Sequence, residues 1–169
     1  MTEKSTVLTR NAKEGTHIVS AGNLYRIIAS GQETGGRFSV MEAILKPGQG
    51  APLHIHTRED EAFFVLEGEV AFYTTDSEIA TQAEGFVSCP PNCIRGFRNN
   101  TSKISRMLIL YSTSGVEEMT QRAGRVVDRN GISDRTDEVQ IECPQLAEEY
   151  GISQLDEPLP ALPRGHSDA

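Results

Sequence analysis

Apolar and polar residues alternate in short runs through the first two thirds of the chain, with a period close to two. Such alternation marks half-buried strands. Strands are predicted at His17 to Ser20, Leu24 to Ser30, Gly36 to Leu45, His54 to Ile55, Glu61 to Glu67, Glu69 to Thr74, Phe86 to Cys89, Arg95 to Arg98 and Ile104 to Ser112. Gly35-Gly36 and Pro47-Gly-Gln-Gly50 break the runs, and Gly68 pivots the clearest hairpin. Many short strands at close spacing predict an all-β barrel or sandwich. Past Ser114 the period lengthens. Val116, Met119 and Ala123 recur at helical spacing, which predicts a short amphipathic helix on the outside of the barrel. Pro144 as a start, Leu146 and Tyr150 four apart, and Gly151 as a stop predict another. The chain therefore divides into an N-terminal arm at 1–16, a barrel at 17–114, a helical extension packing on the barrel at 115–155 and a flexible proline-rich tail at 156–169. No internal repeat is present, so a single barrel module is expected.

His54 and His56 are two residues apart on a predicted strand and so face the same way. A second strand starting at Glu61 returns a carboxylate beside them. Two imidazoles and a carboxylate on one side of a divalent metal leave its remaining positions open to substrate or water. The parity of Glu61 is shared by Phe63 and Val65, which are expected to give the pocket an apolar lining. Glu59 and Asp60 read as exposed loop acids, and His17 and His166 lie on edge or flexible segments.

The stretch runs Gly48, five residues, His54-Ile-His56, four residues, Glu61, six residues, Gly68. It resembles the first motif of the cupin superfamily at every element. Residues 84–99 resemble the second cupin motif through Pro90 and Asn99, with three departures. Glu84 stands for the first glycine, Asn92 for the turn glycine, and Arg95 for the histidine that normally completes the metal ligands. Arg58 to Gly68, Gly96 to Asn99 and Gln145 to Ile152 are similar to the single-domain quercetinase-like (cupin type 2) group, a likeness covering about residues 20 to 155.

The resemblance implies an antiparallel jelly-roll barrel with short C-terminal helices, and a homodimer. It implies a divalent metal (iron, manganese, nickel or zinc) on His54, His56 and Glu61. It also implies an oxygenase, or a related isomerase or cyclase, acting on a phenolic, polyketide-like or enediol compound. Glu61 is then a ligand or a base, and Arg95 orients an anionic or enolate oxygen. A guanidinium cannot ligate a cation. Pointing inward, Arg95 is expected to pair bidentately with Glu61; turned to the mouth, it leaves a three-ligand centre. The alternative is a metal-free ligand-binding or regulatory cupin in which Arg95 replaces the metal's charge.

Net charge is −8 with no basic stripe, which argues against nucleic acid and anionic membranes as partners and leaves a small-molecule ligand. No apolar run is long enough to span a bilayer, and Met1-Thr-Glu-Lys-Ser-Thr lacks a secretory apolar segment, so a cytoplasmic location is expected. Cys89, Cys93 and Cys143 are then reduced thiols, with Cys93 a secondary soft-ligand candidate because it precedes Arg95 by two.

Overall fold

A computed structural model describes residues 7–128 and 144–162; the expectations for Cys143, His166 and the last half of the proline-rich tail lie outside the described residues. The strands are β1 (Thr16–Ser20), β2 (Asn23–Ala29), β3 (Ser39–Leu45), β4 (Gly50–His56), β5 (Asp60–Glu67), β6 (Glu69–Tyr73), β7 (Glu78–Gln82), β8 (Phe86–Cys89), β9 (Ile94–Arg98), β10 (Ser105–Ser112), β11 (Arg125–Val127) and β12 (Ile152–Gln154). Three helices accompany them: α1 (Gly31–Thr34), α2 (Val116–Ala123) and α3 (Pro144–Glu149). One sheet has the order β11-β1-β2-β3-β10-β5-β8 and the other β12-β4-β9-β6-β7. The pairings are antiparallel. The two sheets form a jelly-roll barrel, as the strand pattern and the motifs predict.

Alternation builds the core. Met41, Ala43 and Leu45 of β3, Phe63 and Val65 of β5, and Met107 and Ile109 of β10 point inward from one sheet. Val70 and Phe72 of β6 and Phe97 of β9 meet them from the other. Phe63 lies at the centre, its ring 4.9 Å from that of Phe72 and 5.7 Å from that of Phe97. Gly68 joins β5 to β6 at φ 75°, and a Cβ there would come within 2.6 Å of the Ser105 hydroxyl, so both the turn and the packing require glycine.

Several elements differ from those predicted. The third strand starts at Ser39 and not Gly36, because Ser30 and Glu33 form a reciprocal capping box that turns 31–34 into α1. The strand predicted at His54–Ile55 runs from Gly50 to His56. β7 has no counterpart in the prediction; only Thr81 of its five residues is buried, so its pattern shows no clear alternation. The extension contains both predicted helices, and it also supplies an edge strand to each sheet. β11 pairs with β1, and β12 pairs with β4. Three-residue strands carry too little periodicity to be read from a sequence.

Candidate metal centre

The centre is assembled from four strands. β4 presents His54 and His56 on one face, with ring centroids 5.0 Å apart. β5 carries Glu61 as its second residue, whose partner across the ladder on β10 is Tyr111. β9 places Arg95 directly opposite His54. His54, His56 and Glu61 are all buried, and their donor atoms lie within 4.8 Å of one another. Glu61 Oε2 is 3.6 Å from His56 Nε2 and 4.0 Å from His54 Nε2.

Hydrogen bonds define the imidazole tautomers. His54 Nδ1 lies 2.8 Å from the Pro52 carbonyl, which can only accept, so Nδ1 carries the proton and Nε2 offers a lone pair. Burial lowers the His54 pKa to about 4, although the Glu61 charge opposes the shift; the ring is neutral at neutral pH. His56 Nδ1 is 3.2 Å from Glu59 Oε2, and donation to that carboxylate leaves its Nε2 bare as well. Both lone pairs are on the nitrogens that approach Glu61. Glu61 Oε2 itself is buried without a hydrogen-bond partner. A bare carboxylate oxygen beside two bare imidazole nitrogens is the donor chemistry a divalent cation takes. The three residues can therefore hold a metal.

Arg95 is the group that competes. Its Nε lies 3.1 Å from Glu61 Oε2, close enough for charge pairing but misaligned, so neither atom gains a hydrogen bond. Its Nη atoms point away from the carboxylate. Nη1 donates to the Cys93 carbonyl at 2.8 Å, and Nη2 to the carbonyls of Cys89 at 3.2 Å and Pro90 at 3.4 Å. The contact expected to be bidentate is thus a single approach through Nε. Arg95 is not among the residues that line the cavity. Its donors are taken up by the corner between β8 and β9.

The cavity over the centre has a volume of about 160 Å³. Tyr25 and Tyr111 line it from the barrel, and Met119, Leu146, Ile152 and Gln154 close it from α2, α3 and β12. The extension expected on the outside of the barrel is therefore a wall of the cavity. β12 runs against the ligand strand, with Ile152 opposite His56 and Gln154 opposite His54. Burial raises the Tyr111 pKa well above its ordinary value, and the Glu61 charge adds to the effect, so its hydroxyl stays protonated and can donate to Glu61. Burial likewise pushes Tyr25 up to about 12, against a hydrogen bond from Asn23.

Phe63 and Val65 share the parity of Glu61, but they lie below the cavity in the closed core and do not line it. Phe63→Ala is expected to lower unfolding free energy by about 3–5 kcal/mol, as for a fully packed aromatic. Chemical denaturation checks this, and a loss below about 1 kcal/mol would show that Phe63 is not a core residue.

Glu59 overturns its reading as an exposed acid. It is 3% exposed and holds His56 in orientation, whereas its neighbour Asp60 is exposed. The three-residue spacing from His56 was the available signal. Tyr111 was legible too, since it continues the inward parity of Met107 and Ile109. His17 is buried on β1, and neither it nor Cys93 belongs to the ligand group found among the described residues. Glu59→Gln is expected to weaken metal binding 10- to 100-fold, the usual effect of removing a carboxylate behind a ligating histidine. A competition titration giving parental affinity would remove Glu59 from the centre.

With the geometry in place, comparison with known proteins identifies the family. Residues 41–111 match the family described as Cupin domain. The matched segment is a cupin domain. This cupin is 29% identical to quercetin 2,3-dioxygenase of Bacillus subtilis over 85 residues, which are 50% of this chain and 25% of that enzyme. It thus spans about a quarter of that relative's length. Among solved structures it resembles a predicted oxalate decarboxylase from Thermotoga maritima, with TM-score 0.57 and 17% identity, over 63% of this chain and 99% of that one. It also resembles the polyketide cyclase RemF from Streptomyces resistomycificus, with TM-score 0.56 and 16% identity, over 64% of this chain and 81% of that one. At such identities the two structures establish the fold. No helix among the described residues is long and apolar enough to cross a membrane.

Proposed function

We propose that this cupin is a metal-dependent enzyme, oxygenase-like or a related isomerase or cyclase, acting on a small phenolic or enediol compound. The observation that carries the reading is the pair of Nε2 lone pairs on His54 and His56, aimed at a Glu61 oxygen that accepts no hydrogen bond, at the base of a cavity. His54, His56 and Glu61 would hold the metal, which supplies Lewis acidity toward a substrate oxygen. Pro52 and Glu59 keep the imidazoles in the ligating tautomer. The Tyr111 hydroxyl, kept protonated, holds a proton beside Glu61. Leu146, Ile152 and Met119 exclude water above it.

Cavity size narrows the substrate. A void of about 150 Å³ takes one benzene ring, and this cavity is about 160 Å³. A single-ring phenol or a short enediol fits within that volume. The second reading, a metal-free pocket in which Arg95 replaces the metal's charge, draws support from its approach to Glu61 at 3.1 Å. It is weakened by the guanidinium being turned to backbone carbonyls and away from the cavity. Elemental analysis of protein purified without chelator or added metal separates the two. Stoichiometric iron, manganese, nickel or zinc, lost in His54→Ala/His56→Ala, is the expected outcome, and metal-free protein that also fails to take up added metal sinks the proposal.

A further inference from the structure

The corner between β8 and β9 carries a feature that the proposed reaction does not use. β8 ends at Cys89 and β9 begins at Ile94, so the corner is Cys89-Pro90-Pro91-Asn92-Cys93. Two prolines restrict its backbone, Asn92 adopts φ 65°, and the Cys93 amide donates to the Pro90 carbonyl at 3.2 Å. The chain is thereby folded back on itself. One guanidinium, that of Arg95, binds the carbonyls of both Cys89 and Cys93, so the two backbones are held within the width of a single planar group. The side chains turn to the same place: Cys89 lies in the core and Cys93 packs against that core, its thiol donating to the Ile94 carbonyl at 3.5 Å and close enough to Cys89 to help raise the pKa of the Cys89 thiol. Cys89 is buried, whereas Cys93 is partly open to solvent.

We propose that Cys89 and Cys93 are a reversible dithiol–disulfide pair, a site of oxidative modification by small hydroperoxides. The proposal does not depend on the reaction assigned to the cavity. Cys93 is the sulfur a small oxidant reaches first. Its thiolate attacks hydrogen peroxide, forming an S–O bond and breaking the O–O bond, and the displaced oxygen leaves as water. Cys89 then attacks the sulfenic sulfur, forming the S–S bond and expelling the second oxygen as water. Two thiols lose two electrons and two protons, and the peroxide takes both. A thiol reductant reverses the change. The site also communicates with the metal-ligand group, because the corner's carbonyls hold Arg95 and its Asn92 amide donates to the His56 carbonyl at 2.7 Å.

The test uses the full chain, reduced, freed of reductant and treated with a small excess of hydrogen peroxide. Intact mass is expected to fall by two hydrogens without dimer formation. The peptide containing both cysteines should resist alkylation and recover on treatment with dithiothreitol. Cys143→Ser should behave as the parent, and Cys93→Ser should lose the response. If Cys93→Ser does not fold, peptide mapping of the parent decides alone. Oxygen added to Cys93 while Cys89 stays open to alkylation would overturn the proposal, as would a disulfide mapped to Cys143.

Discussion

Glu61→Gln is expected to strip the protein of metal and to lower its stability by about 3 kcal/mol, the cost of leaving a buried charge without its partner. Both members of the Glu61–Arg95 pair have side chains 2% exposed, so solvent does not screen the loss. Three carbonyls remain on the guanidinium after the substitution, which puts the cost toward the lower end for buried pairs. The amide also offers a metal only a neutral oxygen, weaker than a carboxylate toward a hard cation. The two losses have different causes and are read separately, by zinc competition and by denaturant unfolding of the metal-free protein. Unchanged metal content and an unchanged midpoint together would show that Glu61 neither ligates nor neutralises.

Arg95→His is expected to move affinity and stability in opposite directions. The register of β4 with β9 sets the new imidazole opposite His54, where it adds a ligand and removes a fixed positive charge from beside Glu61. Divalent metal should bind at least tenfold more tightly, equivalent to about 1.4 kcal/mol. The shorter side chain cannot reach the carbonyls of Cys89, Pro90 and Cys93, and these lose their donor. The metal-free variant should therefore be less stable by roughly 2–4 kcal/mol. Titration with nickel or zinc, paired with unfolding in the presence of chelator, measures both. Equal affinity in parent and variant would mean that Arg95 exerts no hold on the site, and the native three-ligand set would stand as a complete centre.

What the linear chain determined was periodic. Alternation over five or more residues is enough to place a strand and to say which side chains share a face, so the barrel strands and the common face of His54, His56 and Glu61 were legible. The spacing from Gly48 to Gly68 marked the family for the same reason: each position serves a local turn, ladder or ligand. Parity gives a face but not a depth. Phe63 and Val65 face the same interior as Glu61, and only the stacking of the two sheets put them in the closed core below the cavity. A long, flexible guanidinium has no direction until its surroundings are built, so the turn of Arg95 toward three carbonyls depended on the β8–β9 corner closing around it. Glu59 became an internal acceptor because the link from β4 to β5 carries it back over His56. The cavity wall of α3 and β12 comes from residues nearly a hundred positions away from the histidines. Its pairing with β4 is a long-range contact that no local pattern encodes; tertiary packing decided it.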